Sequence, residues 1–190
     1  MKQRIIEAIE KHKAMVAQLE ADSIETIAQI VTLITASLKN GGCVYICGNG
    51  GSAADAQHIA GEFVGRFLRE RKALPAVALT TDTSVLTAIG NDYDFNDIFK
   101  RQVEALVGKN DILWAFSTSG SSGNILAAAK LAKDKGAAVI GFTGRPDSKL
   151  EAIADLCLCA EADSTAPSQE MHQLAYHIIC DLVELNFCES

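Results

Sequence analysis

Residues 2–39 carry apolar positions at three- and four-residue spacing, the mark of amphipathic helices, and "IETIAQIVTLITASL" holds that spacing over a broad stripe. Two helices are expected there, with Asp22 and Glu25 at capping-box spacing. From Cys43 the pattern changes to short, unbroken apolar runs: "CVYIC", "AVAL", "DILWAF", "AAVIGF" and "DLCLCA". Such runs fit strands covered on both faces. Helical stretches separate several of them: residues 52–68, "ILAAAKLAKDKG", and a long closing helix from about Ser168. Short apolar strands alternating with helices predict right-handed βαβ units. The fold class is therefore α/β: a three-layer sandwich on a five-stranded parallel sheet, flavodoxin- or Rossmann-like, with an N-terminal helical pair.

A chain of 190 residues is long enough for one such domain and too short for two comfortable ones. A single domain over residues 1–190 is expected, with helices over 1–39 and the α/β core over 40–190. The net charge of −7 argues against a nucleic-acid binder. It leaves room for an anionic substrate, because free N–H groups at a helix start attract phosphate whatever the global charge. Six cysteines include no C-x-x-C pair, and "MKQRIIEAIEKHK" opens as an amphipathic helix rather than a leader. Buried, reduced thiols in a cytoplasmic protein are the expectation. No apolar run approaches the roughly 20 residues that a membrane helix needs.

Two stretches repeat one design, strand then small-residue loop then helix: "CVYICGNGGSAAD" and "ILWAFSTSGSSGN". In parallel sheets, ligands bind outside the carboxyl ends of the strands, where both loops fall. Gly48, Gly50 and Ala53 match a dinucleotide fingerprint, but the acidic partner expected about 20 residues on comes late, at Asp82. The second loop lines up hydroxyls at Ser117, Thr118, Ser119, Ser121 and Ser122, each able to donate to a phosphate oxygen. Neither loop has a lysine, so a P-loop is excluded. Two such loops favour a phosphorylated ligand.

His58, Glu62 and Arg66 follow the first loop at four-residue intervals. Glu62 is either a general base in an apolar setting or half of a solvated ion pair with Arg66. The last helix adds Gln169, Gln173 and His177 on one slanting stripe, with Glu170 and His172 beside them. Two helices bearing histidine and carboxylate tilt the reading towards chemistry.

Together "CGNGGSAADAQH", "GNDYDFNDIF", "STSGSSGN" and "QEMHQLAYH" resemble the sugar isomerase (SIS) family, in the branch that handles heptose phosphates. The likeness spans almost the whole chain. It implies a homotetramer with shared active sites, which isomerises sedoheptulose 7-phosphate to D-glycero-D-manno-heptose 7-phosphate through an enediol. That is the first step towards the nucleotide-activated heptose of lipopolysaccharide. By the same resemblance, Asn49, Gly50, Gly51 and Ser52 line the sugar site, and Ser117, Thr118, Ser119 and Ser122 hold the phosphate. Asn91, Asp92, Arg66 and Gln169 also meet the substrate, and Glu62 with His177 moves the protons in either order. Zinc on His58, Glu62, Gln169 and His177 is implied too. Gln169 and His177 stand about 12 Å apart along a straight helix, so one ion could join them only through leaning side chains, a bend, or different subunits. Relatives that bind a bacterial replication initiator without catalysis are the alternative; a phosphosugar sensor would normally add a DNA-binding domain. The chain departs from the family at "STAPSQ", where an arginine and an aliphatic residue often precede the glutamine. Pro167 is expected to reshape that loop, and no contact is carried over from it.

Overall fold

A computed structural model describes residues 1–188. Two helices open the chain, α1 (Lys2–Asp22) and α2 (Ile24–Lys39). Five strands follow: β1 (Val44–Cys47), β2 (Ala76–Ala78), β3 (Ile112–Ser117), β4 (Ala138–Thr143) and β5 (Leu156–Cys159). All are parallel, in the order β2-β1-β3-β4-β5. Helix α3 (Gly51–Val64) joins β1 to β2, and α4 (Thr83–Asp92), a 3₁₀ turn (Phe95–Asp97) and α5 (Lys100–Leu106) join β2 to β3. Helices α6 (Gly123–Asp134), α7 (Lys149–Ile153) and α8 (Thr165–Leu185) complete the chain.

Alternation along each strand feeds two cores. Val44, Ile46, Ile112, Trp114, Phe116, Ile140 and Phe142 face a layer holding α2, α3 and α8. Leu113, Ala115 and Val139 face the other layer, with Ile125, Ala128 and Ala132 of α6. Every residue of β3 is buried, as a central strand covered on both sides requires. All six cysteines are free thiols, and burial pushes Cys47 and Cys157 up to about 12, which keeps them protonated. Among the described residues, no helix is long and apolar enough to cross a membrane.

The structure corrects several expected boundaries. Asp22 and Glu25 form no capping box: Ser23 alone separates the helices, its N–H closing α1 on Leu19 O and its carbonyl opening α2 to Ile27 N. Helix α3 stops at Val64 instead of running to Leu68. The Arg71 guanidinium takes the free carbonyls of Glu62, Phe63 and Gly65, while Glu184 accepts the amides of Phe67, Leu68 and Arg69 at 2.7–2.8 Å. Helix α8 begins at Thr165, before Ser168, with Pro167 inside its first turn. A missing N–H costs nothing there, because first-turn amides have no intrahelical partner. Helices α4, α5 and α7 complete a region that carries no clear helical pattern in the sequence.

Candidate active site at the carboxyl ends of the strands

The first loop turns out of β1 on Gly50, whose φ of +57° favours glycine. Gly51 then lets a side chain close in: a Cβ there would stand 2.6 Å from the Gln169 amide. Gln169 accordingly donates to Ser52 Oγ at 3.3 Å, tying α8 to the start of α3. The second loop holds its hydroxyls in a chain, with Ser117 Oγ 3.0 Å from Ser122 Oγ and 3.3 Å from Ser119 Oγ. Thr118 and Ser119 line a cleft of about 170 Å³ that continues to Arg145, Asp163 and Ser164. The two loops are locked together by reciprocal amide bonds between Asn49 and Asn124, 2.9 and 2.8 Å long. Asn124 is buried and was not singled out in the sequence, although it ends the second motif. Asn96 of "GNDYDFNDIF" also reaches this loop, packing where a Cβ on Gly123 would sit.

Farther along α3, three side chains converge. His58 Nε2 lies 2.9 Å from Glu62 Oε1, one turn on. His177 arrives from α8 with its ring centroid 4.9 Å from that of His58. One ligand atom from each of His58, Glu62 and His177 lies within 4.8 Å of the others. Burial first, and then the His58 charge, holds His177 below its ordinary value, with Glu62 opposing both. Two imidazoles and one carboxylate suit a borderline cation such as zinc, which takes three protein ligands and an open position in catalytic sites.

Other candidates lie elsewhere. Gln169 sits at Ser52, six residues before His58 on α3. Arg66 is exposed beyond the end of α3 and forms no ion pair among the described residues, so the ion-pair alternative for Glu62 is not formed and Glu62 meets His58 instead. Asn91 and Asp92 end α4, joined by a 2.8 Å bond, and Asp92 lines a separate cleft with Val77, Tyr93 and Arg101. His172 is a core histidine. It lies 2.9 Å from Thr143 O and burial pushes it down to about 4. Glu170 contacts His12 of α1. Asp82, the late acidic partner of the dinucleotide reading, caps α4 by accepting from Val85 N.

Known proteins resemble the chain over most of its length. The SIS domain model matches residues 9–144. A phosphoheptose isomerase of Geobacter metallireducens is 47% identical over 184 residues, covering 97% of each chain. One of Rhodospirillum rubrum is 50% identical over 167 residues, covering 88% of this chain and 89% of its own. The solved phosphoheptose isomerase of Neisseria gonorrhoeae superposes with a TM-score of 0.91 at 40% identity, covering 97% of this chain and 98% of that one. With 47–50% identity over most of its length and a matching fold, the chain belongs to the SIS domain family, among the phosphoheptose isomerases.

Proposed function

We infer that the chain isomerises sedoheptulose 7-phosphate to D-glycero-D-manno-heptose 7-phosphate. The observation that carries this is the near-full-length match to phosphoheptose isomerases of a chain that has two phosphate-suited loops at its strand ends and, farther along α3, the pair Glu62 and His177. The hydroxyls of Ser117, Thr118, Ser119 and Ser122 and the free amides opening α6 hold the phosphate. Asn49, Gly50, Gly51 and Ser52, with Gln169 against them, receive the sugar. Arg66, Asn91 and Asp92 add contacts from exposed positions.

A ketose becomes an aldose when a base lifts a proton from C1 and a proton is returned to C2, while another moves from O1 to O2. In this reading Glu62 carries the carbon-bound proton and His177 the oxygen-bound one, or the reverse. His177, held low by burial, is neutral near pH 7, with one ring N–H to give and one nitrogen open to accept. Alternatively, His58, Glu62 and His177 would hold zinc, with Gln169 as the fourth ligand the family resemblance implies, and the ion would supply polarisation of the carbonyl oxygen in place of a proton from His177. A carboxylate that ligates through one oxygen keeps the other for the proton.

Residues 1–39 serve as an oligomerisation arm on a single SIS domain, in a homotetramer with shared sites. Ile5, Ile9 and Val16 of α1, at 55%, 50% and 41% exposure, support that reading, since a helix face of this kind calls for a cover. Six free thiols fit a reducing cytoplasm. No observation favours the replication-initiator reading. NMR of sedoheptulose 7-phosphate incubated with the purified protein tests the activity: aldose C1 signals support it, and an unchanged ketose spectrum refutes it.

A further inference from the structure

Behind His58 lies a polar chain that the proposed chemistry leaves unused. Tyr176, wholly buried on α8, is wedged edge-on against both imidazoles, with ring centroids 5.6 Å from His58 and 4.8 Å from His177. Its hydroxyl stands 3.0 Å from His58 Nδ1 and 3.4 Å from Asp55 Oδ1. The other carboxylate oxygen, Asp55 Oδ2, is buried without a partner among the described residues.

The proton count decides the direction of these bonds. A phenol has one proton to give, and a carboxylate can only accept. If Tyr176 gave its proton to His58, Asp55 Oδ1 would lose its partner as well, leaving a partly buried carboxylate with none among the described residues. If it gives the proton to Asp55, the phenol oxygen accepts from His58 Nδ1–H and one Asp55 oxygen is satisfied. Glu62 Oε1, 2.9 Å from Nε2, then faces a lone pair. The Glu62 side chain is 20% exposed, so water or a cation can answer that oxygen, whereas nothing among the described residues answers the buried Asp55 Oδ2. We propose that Asp55 and Tyr176 are positioning residues that hold the His58 ring as its Nδ1–H tautomer, so that the Nε2 lone pair faces Glu62 and His177. A histidine bound to a metal is normally oriented in this way, by a partner on its far nitrogen. The relay deepens the site proposed above and rests on it only for metal binding; the tautomer can be read without any metal or substrate.

The test uses the full-length protein with Tyr176→Phe, which keeps the ring packing, and Asp55→Asn, which keeps the tyrosine. In metal-free protein at pH of about 8.5, above the ordinary imidazole range, nitrogen–proton correlation NMR reads the His58 tautomer. Wild type is expected to show Nδ1–H, and Tyr176→Phe to move towards Nε2–H. Zinc affinity, measured by competition with a chromophoric chelator, is expected to fall about 10–100-fold in each variant. Nε2–H in wild type, or Nδ1–H persisting in Tyr176→Phe, overturns the relay. So does zinc affinity in both variants within about twofold of a zinc-binding wild type, far short of the usual loss. If wild type binds no zinc, the metal reading falls, and the tautomer shift alone upholds or overturns the relay. If Tyr176→Phe fails to fold, Asp55→Asn decides: its amide can donate to the phenol and turn the tyrosine proton onto Nδ1, so an unchanged tautomer overturns the proposal.

Discussion

His58 Nε2 meets Glu62 Oε1 at 2.9 Å on adjacent turns of α3, while Arg66 lies beyond the helix end, exposed and unpaired among the described residues. An unpaired guanidinium beside the site is free for an anionic substrate. Arg66→Ala is therefore expected to raise KM about tenfold or more, as loss of a hydrogen bond to a charged group does. Folding stability should move by no more than about 0.5 kcal/mol. Steady-state kinetics with a denaturant titration check both, and an unchanged KM would remove Arg66 from the substrate contacts.

The hydroxyl chain of the second loop gives a second expectation. Replacing Thr118 by Val and Ser119 by Ala removes two donors, each worth about 1.5–3 kcal/mol against a charged group. Sugar-phosphate affinity should fall by about tenfold or more per donor, with the fold intact. Calorimetry showing wild-type affinity would take the phosphate away from this loop.

Glu184 and Arg71, each 1% exposed in its side chain, pair at 3.4 Å and fix the chain leaving α3. Burial opposes the charge on Glu184, but the Leu68, Phe67 and Arg69 amides and the Arg71 guanidinium outweigh it and hold the carboxyl below its usual range. A folded-state value below the unfolded one adds stability that is fully present above about pH 4.3 and is lost as pH falls through the folded value. Glu184→Gln should cost about 3–5 kcal/mol and flatten that acid-side loss. Urea titrations at neutral and acid pH measure it. Equal stability of the two proteins at neutral pH would contradict the structural role.

The exposed apolar face of α1 makes the assembly testable. Light scattering should give a tetramer, and Ile5→Asp with Ile9→Asp should break it into smaller species. A wild-type monomer at micromolar concentration would contradict the oligomerisation role of residues 1–39.

The strands were legible because burial on both faces leaves unbroken apolar runs, as in "DILWAF". Helix α4 was not: "TSVLTAIGND" is rich in residues of low helix propensity and has no buried residue to set a stripe. Helix α5 buries only Val103, and α7 spans five residues. Four-residue spacing put His58 and Glu62 on one stripe, and the closing helix offered two histidines; the choice of His177 over His172 came with the family resemblance. The supports of this trio were not legible. Tyr176 meets His58 across 118 positions and Glu184 meets Phe67 across 117, and no local pattern encodes such pairs.

The central claim is proton transfer by Glu62 and His177, and deuterium tracing reads it most directly. Sedoheptulose 7-phosphate incubated with wild type in D2O should gain deuterium at C2 of the aldose and C1 of the recovered ketose, followed by NMR. Glu62→Gln keeps shape and hydrogen-bonding reach but cannot act as base, so exchange and turnover should both fall about 10²–10⁴-fold. His177→Gln should slow turnover comparably, and the double variant should lose less than the product of the two. Turnover near wild type in either single variant would contradict the assignment of that residue.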